Sequence, residues 1–476
     1  MNRNPYSARL AWKILAIFVL LQLCFTFLTI YRGLGFDEAI WQYIGRNWFR
    51  NGLPPYRGGV DNKSPLMFAL YGFSDTLFGV NFWFARLIAI AAQTLGIFYL
   101  WRIATWVNGS RAGFMAMLIY GLSLLWHSVE GKNLSLTQTY EVTLSMVALY
   151  AFFRATKSST FFLCGMLAGL GVAFRLSGMV MVAVIFLAML RRRKKTGTYA
   201  AGVLVSMVVY FFLILIAGIP MGDFIQYGLL ENFAQGGVSS HPLAWKLNQF
   251  ASQFLFSGIA IFYPFLIAYI LLKKRVDLFL LWLILGFLGI AAIGMFAHTH
   301  LRELLPPLAI ISGFVANWAL ERCPLRDWQA ILVLIIIFLP SFSEPVLAVK
   351  SILSKQIVVR SPAGNEEDKE QLGLWIKRHT AATQKVYIAG YSAQAQAYAE
   401  RLSPSIYFNV TQTPAAKKQL FSDLDHDKPE LIAVPGFPGY RNLVDQDIRD
   451  FVDEMVAKNY TFDTTAFQYH IFRIQH

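Results

Sequence analysis

Runs of roughly 20 apolar residues, the length that crosses a bilayer, recur near residues 12–31, 82–101, 112–127, 138–153, 198–219, 252–272, 277–297, 304–320 and 329–347. No other feature restricts the fold as severely, because backbone in hydrocarbon must satisfy its own polar groups and therefore folds as helices or a closed barrel. A further apolar stretch at 160–190 is interrupted by Arg175; it is too long for one span and divides into two short ones meeting at that arginine. The expectation is a polytopic α-helical membrane protein with about 11 transmembrane helices. The chain of 476 residues is 56% hydrophobic and only 15% charged, a balance that the surface of a soluble domain would not tolerate.

The basic residues set the orientation, since short cytoplasmic connections collect Lys and Arg. Starting from Arg3, Arg9 and Lys13, every second connection is basic, through Arg102 and Arg111, Arg154 and Lys157, the run Arg191 to Lys195, Lys273 to Arg275, and Arg322 with Arg326. The N-terminus is thus expected in the cytoplasm and, with an odd number of spans, the C-terminus on the outer side. The first apolar run ends in Thr29-Ile30-Tyr31-Arg32 without a small-residue cleavage site, and reads as an uncleaved span. The net charge of +14 is then mostly anchoring against anionic headgroups, and nucleic acid is not expected as a partner.

Composition changes after about Pro345. Residues 1–345 are expected to form the membrane domain, its outer loop at 32–66, and 346–476 a soluble α/β domain on the periplasmic or extracellular side. In the latter, KVYIAGYS (Lys385–Ser392) and PELIAVPG (Pro429–Gly436) have the pattern of buried parallel strands. NEEDKEQLGLWIKRH and DQDIRDFVDEMVAKN have that of amphipathic helices. Cys24, Cys164 and Cys323 offer neither a disulfide nor a metal cluster.

Between the first two apolar runs lies FDEAIWQYIGRNWFRNGLPPYRGGVDNKSPL, Phe36 to Leu66. Its adjacent acids Asp37 and Glu38 are expensive near lipid unless used, although acids in the first turn of a helix also simply oppose the helix dipole. Trp41, Ile44 and Trp48 share one helical face, Arg46 and Arg50 are placed to reach headgroups, and Asn51-Gly52 before Pro54-Pro55 ends the helix. That geometry is expected to hold Asp37 at the membrane surface. Lys63, Arg86 and Arg175 are cations on the outer side, where orientation does not ask for positive charge; each can be an ordinary anchor, but phosphate is the natural ligand of the set. Glu141, at the mouth of a span, is expected either to pair with Arg175 or to bind a sugar or acceptor. Glu130 shares the outer connection of Glu141, and in the loop Pro220–Gln249 Asp223, Glu231 and His241 show no recognisable spacing. His298 and His300 lack the further ligands zinc needs, so His300 and Arg302 read as phosphate or headgroup contacts.

The Phe36–Leu66 loop, followed by LFGVNFWFARL, resembles the first outer loop of the protein O-mannosyltransferase and aminoarabinose-transferase superfamily of GT-C glycosyltransferases. The resemblance extends through TQTYEVTLSMVALYAFFRA, FFLCGMLAGLGVAFRLSGMV and LRELLPPLAII, and KVYIAGYSAQAQAYAERLSPSIYF resembles the outward α/β domain of many bacterial members. Two positions depart: Lys63-Ser64-Pro65 stands where Lys-Pro-Pro is common, and Arg175 where lysine is common; both keep the positive charge. The resemblance implies an inverting transfer of a monosaccharide from a polyprenyl phosphate to an envelope acceptor (lipid, glycan or protein) on the outer face of the inner membrane. It implies Asp37 as base with Glu38 beside it, and Lys63 and Arg86 near the carrier phosphate; Arg175 and Arg302 are expected there on their charge. Glu141, Tyr56 and His300 are expected near the sugar or acceptor. No cofactor or metal is expected if arginine and lysine stabilise the leaving phosphate.

Two other classes remain. A transporter or flippase of lipid-linked substrates would also want outward cations, but the chain shows neither repeated halves nor acids at mid-span. A non-catalytic envelope-assembly protein would leave Asp37-Glu38 with nothing beyond capping.

Overall fold

A computed structural model of the protein describes residues 5–28, 33–125, 135–191, 195–231, 243–255, 258–293, 296, 298–323, 327–339, 346, 366–409, 413–437 and 439–475. In chain order its main helices are α1 (Pro5–Leu28), α2 (Phe36–Asn51), α3 (Pro65–Phe78), α4 (Trp83–Ser123), α5 (Thr137–Arg154) and α6 (Ser158–Phe174). There follow α7 (Met179–Arg191), α8 (Thr196–Ile216), α9 (Leu243–Phe250), α10 (Tyr263–Lys273), α11 (Leu278–Ile293), α12 (Leu305–Leu320) and α13 (Asp327–Ile337). The C-terminal region adds α14 (Glu366–His379), α15 (Ala393–Ala399), α16 (Pro414–His426) and α17 (Gln446–Asn459) with four strands, β1 (Val386–Ile388), β2 (Leu431–Pro435), β3 (Tyr460–Ala466) and β4 (Tyr469–Ile474). The chain divides into two compact units: Met1–Thr29, Arg86–Leu213 and Ser239–Ser354 form one, and Ile30–Ala85, Ile214–Val238 and Lys355–His476 the other.

The first unit is helical. α12 is apolar all round and is buried from Leu305 to Gly313 against α4 and its neighbours, as expected of a helix with no polar face. α8 leaves Leu204, Val208, Phe212 and Leu215 exposed along its length, the surface of a lipid-facing helix. Among the described residues, α4 and α8 are long and apolar enough to cross a membrane by themselves, and the bent pair Ala244–Leu255 and Gly258–Lys273 brings the count to three if it is one span. α4 is two helical legs meeting at Gly109, whose φ of 85° is open only to a residue without a Cβ, and the apolar runs 82–101 and 112–127 begin on separate legs. The expected eleven spans are therefore not established: several apolar runs fold as helices of 10–17 residues, and at 1.5 Å per residue 17 residues reach roughly 26 Å, short of a hydrocarbon core of about 30 Å.

The second unit contains the outer loop and the C-terminal α/β fold. Its mixed sheet has the order β1-β2-β4-β3, with β1 and β2 parallel and the remaining pairs antiparallel. Alternate strand residues feed two cores. Val386, Ile388, Leu431, Ala433 and Ile471 meet α14 and α15, while Tyr387 and Ile432 meet α16 and α17. α15 is buried along its whole length because it is also packed on α2. α2 in turn crosses α3 at Gly45 and Gly72, where a Cβ on Gly45 would lie 2.4 Å from the Gly72 amide nitrogen; only two glycines permit the approach.

A buried ion pair locks these helices. Arg46, on α2, donates to Asp75 on α3 at 2.6 Å through Nη2, and its Nη1 donates to the Ala397 carbonyl of α15 at 2.6 Å. Gln42 donates to the same carboxylate at 2.9 Å and Arg50 pairs with it at 3.0 Å. The expectation that Arg46 reaches headgroups is thus corrected: residues 38–47 of α2 are all buried, because the C-terminal fold covers the face that the sequence pattern leaves polar. Removing one partner of such a pair costs about 3–5 kcal/mol, whereas an apolar replacement of both costs far less. Asp75→Ala should therefore lower the unfolding temperature sharply, and Arg46→Met with Asp75→Leu should restore most of it, in thermal unfolding of the purified protein.

Candidate active site

α2 begins at Phe36, so Asp37 and Glu38 occupy its first turn as the sequence pattern predicts. Their environments differ. Glu38 is fully buried; one carboxylate oxygen accepts from the Gly35 amide at 2.9 Å and the other from the Tyr71 hydroxyl at 3.1 Å. Its carboxylate closes the helix N-terminus and ties it to α3. Asp37, partly buried, accepts no hydrogen bond among the described residues. Burial pushes its carboxyl up to about 6; nearby Lys63 opposes the shift, and the charges of Asp61 and Glu38 add to it.

Asp61, which the sequence did not single out, is the second carboxylate here. It accepts from the Trp41 indole at 2.7 Å and from the Asn62 amide at 2.8 Å, and lies 3.9 Å from the Lys63 ammonium. Lys63 also donates to the Asn62 side chain. Tyr56, expected to touch sugar or acceptor, is buried and donates its hydroxyl to the Lys63 carbonyl at 3.0 Å. It therefore positions Lys63. Its φ of 73° is a conformation that a bulky side chain adopts only where the surroundings enforce it, a feature concentrated at functional loops. The segment 214–231 adds Asp223, paired with Arg57 at 2.9 Å, and Glu231, beside Tyr407 of the C-terminal fold.

The first unit holds a separate polar cluster. Arg175, at the break between α6 and α7, pairs with Glu303 at 2.8 Å and donates to Ser177 at 3.0 Å. Of the two alternatives for Glu141, the pairing with Arg175 is not the one formed: Glu303, unremarked in the sequence, takes the bond. Glu141 accepts from Ser145 at 2.8 Å, has its other oxygen buried without a hydrogen bond among the described residues, and lines a cavity of about 10 Å³ with Glu303, Ser177 and Trp282. Arg302 is buried and donates to the Thr139 hydroxyl; Arg86 is also buried, and His300 lies half-buried in the turn His298–Glu303. Glu130 and His241 lie outside the described residues. Among the described residues no group of three or more His, Cys, Asp and Glu side chains is placed to hold a metal ion. Asp61 and Glu303 carried one legible sign: an acid within or beside an apolar stretch is rarely idle.

The ionisation of Asp37 has a sign that can be checked. A carboxyl whose folded value is raised stabilises the folded chain while protonated, below its ordinary value of 3.8, and that contribution is lost as pH rises through about 6. Asp37→Asn should therefore stabilise the protein at pH 8, by on the order of 2 kcal/mol after allowing for partial exposure, and leave it unchanged near pH 4. Urea unfolding at the two pH values measures the difference.

Comparison with known proteins bears on this arrangement. Residues 62–216 match the family described as dolichyl-phosphate-mannose-protein mannosyltransferase. No curated protein matches the chain in sequence. Among solved structures, ArnT from Cupriavidus metallidurans in the apo state is 14% identical with a TM-score of 0.65, covering 98% of this chain and 98% of its own. The same protein bound to undecaprenyl phosphate is 14% identical at 0.63, covering 96% and 97%. The oligosaccharyltransferase AglB from Archaeoglobus fulgidus, in complex with an inhibitory peptide and a dolichol-phosphate, is 12% identical at 0.57, covering 99% of this chain and 75% of its own. The chain therefore has the fold shared by ArnT and AglB, and its residues 62–216 match the mannosyltransferase family.

Proposed function

We propose that the protein is an integral membrane glycosyltransferase that moves a sugar from a polyprenyl-phosphate carrier to an acceptor hydroxyl or phosphate at the outer face of the inner membrane. The observation that carries this reading is Asp37, a carboxylate raised to about 6, without a hydrogen bond among the described residues and in the field of Lys63, at the end of a buried helix. Its support comes from the shared fold and from the matched family, whose description names a dolichyl-phosphate sugar. One related structure holds undecaprenyl phosphate and another a dolichol-phosphate, which supports a carrier of that chemistry here.

In this reading Asp37 takes the proton of the acceptor, whose oxygen attacks the anomeric carbon from the face opposite the carrier, with inversion. The bond from that carbon to the phosphate oxygen breaks, and its electron pair leaves with the phosphate. Lys63 meets the charge that develops on the leaving group, which is worth most in a site from which water is excluded. Asp61 holds Lys63 close without quenching it, since it is itself bound to Trp41 and the Asn62 amide. A base near 6 is ionised at neutral pH yet only moderately weakened as a proton acceptor. Arg86, Arg175 and Arg302 keep their proposed phosphate-binding roles on their charge, and Glu141 and His300 theirs toward sugar or acceptor. Glu38 and Tyr56 serve instead as supports. The C-terminal fold is proposed to lie outside the cell membrane, with the N-terminus cytoplasmic.

A transfer assay in detergent or liposomes, with polyprenyl-phosphate sugars as donors and membrane extracts as acceptors, tests the reading. Wild type should release polyprenyl phosphate at a rate that rises with pH through about 6 and then levels. Asp37→Asn should lower kcat by roughly 10²–10⁴-fold while still binding the carrier, and Lys63→Ala should lower kcat/KM. Full activity in Asp37→Asn, or carrier binding without turnover of any donor, would sink it.

A further inference from the structure

Glu231 follows Phe224–Leu230, a run with π-helical hydrogen bonding, a geometry frequent at functional sites. It is 7% exposed, yet among the described residues one of its carboxylate oxygens has no hydrogen-bond partner, and the other is reached only at 3.5 Å by the Tyr407 hydroxyl, a long contact. Tyr407, 8% exposed, comes from the C-terminal fold. Buried carboxylates normally collect several donors, because desolvation without them is unfavourable. Among the described residues this one is left short.

Tyrosine rings lie beside it. Tyr227 sits edge-on to Tyr407 with ring centroids 6.5 Å apart and stacks with Tyr56 at 6.2 Å. Tyr56 in turn holds the Lys63 carbonyl. The charge of Asp61, the carboxylate paired with Lys63, is felt at Glu231. Glu231 and Tyr407 therefore adjoin the Asp37, Asp61 and Lys63 group within one compact unit, and tyrosine faces beside an acid suit a polar ring that carries hydrogen-bond donors.

We propose that Glu231 and Tyr407 form a specificity subsite that accepts a hydroxyl or ammonium hydrogen from the sugar or the acceptor handled at Asp37. This rests on the glycosyltransferase reading. The incoming donor takes the unpartnered oxygen of Glu231, and Tyr407 shares the second. The C-terminal fold thereby contributes directly to substrate choice, because it supplies Tyr407. A site built around such an acceptor discriminates strongly against analogues that lack the donor.

The test compares wild type, Glu231→Gln, Tyr407→Phe and Asp37→Asn of the full chain, with KM and kcat measured separately for donor and acceptor. Glu231→Gln, nearly isosteric, should raise one of the two KM values roughly tenfold or more with a smaller change in kcat, and Tyr407→Phe should raise the same value several-fold. A shift confined to the donor KM assigns the recognised group to the sugar, and one confined to the acceptor KM assigns it to the acceptor; either supports the subsite. A deoxy analogue lacking that group should then bind wild type and Glu231→Gln alike. If both variants remain folded by thermal unfolding and neither KM moves while Asp37→Asn is inactive, the subsite is refuted and the enzyme reading stands. If wild type transfers nothing from any donor, both fall.

Discussion

The second compact unit depends on one buried ion pair. Arg46 and Asp75 are almost fully withdrawn from water, and a lone charge in either place would be strongly destabilising. The guanidinium has more donors than the carboxylate needs, and one of them reaches the Ala397 carbonyl of α15. Three pieces distant in sequence, the outer-loop helix α2, the short helix α3 and the C-terminal fold, are thus joined at one side chain. Geometry more than stability is gained: a planar fork bonded to two partners admits a single arrangement, and the glycine crossing of α2 on α3 admits no sliding.

Fixing α2 fixes what its first turn does. Glu38 is consumed by the helix N-terminus and by Tyr71, and Asp37, one residue earlier, is left without a hydrogen bond among the described residues. Adjacent acids thereby acquire different duties. Lys63 reaches the same neighbourhood through a loop held by Tyr56 and by the indole of Trp41 acting on Asp61. Burial raises the Asp37 carboxyl more than the ammonium lowers it, which brings its ionisation close to the physiological range of pH.

Much of this was legible in the sequence, and the illegible part has a common cause. The start of α2 at Asp37-Glu38 and its glycine terminus follow from local rules: acids favour the positive end of a helix, and Gly52 takes the left-handed turn with φ of 66°. The strands at 386–388 and 431–435 and the helices α14 and α17 followed from apolar periodicity. The β3–β4 hairpin did not, because Phe467 and Gln468, both at positive φ, make its turn without the glycine or asparagine that usually marks one. The burial of Arg46 was missed because amphipathic periodicity shows which face is apolar and not what covers the polar one. Apolar length alone also overstates what is established about spans, since it does not show where a helix ends.

The sequence by itself determined the membrane class, the helix that presents Asp37, the cation that follows it at Lys63 and the alternating pattern of the C-terminal domain. Each of these follows from interactions within a few residues or from the solubility of a run in lipid. The tertiary structure decided which charges meet. Arg46 finds Asp75 29 residues away and Ala397 351 residues away, Arg175 finds Glu303 at a separation of 128, and Glu231 meets Tyr407 at 176. Coulombic and hydrogen-bond partners are chosen by distance in space, and in a chain folded this way no local pattern encodes that distance.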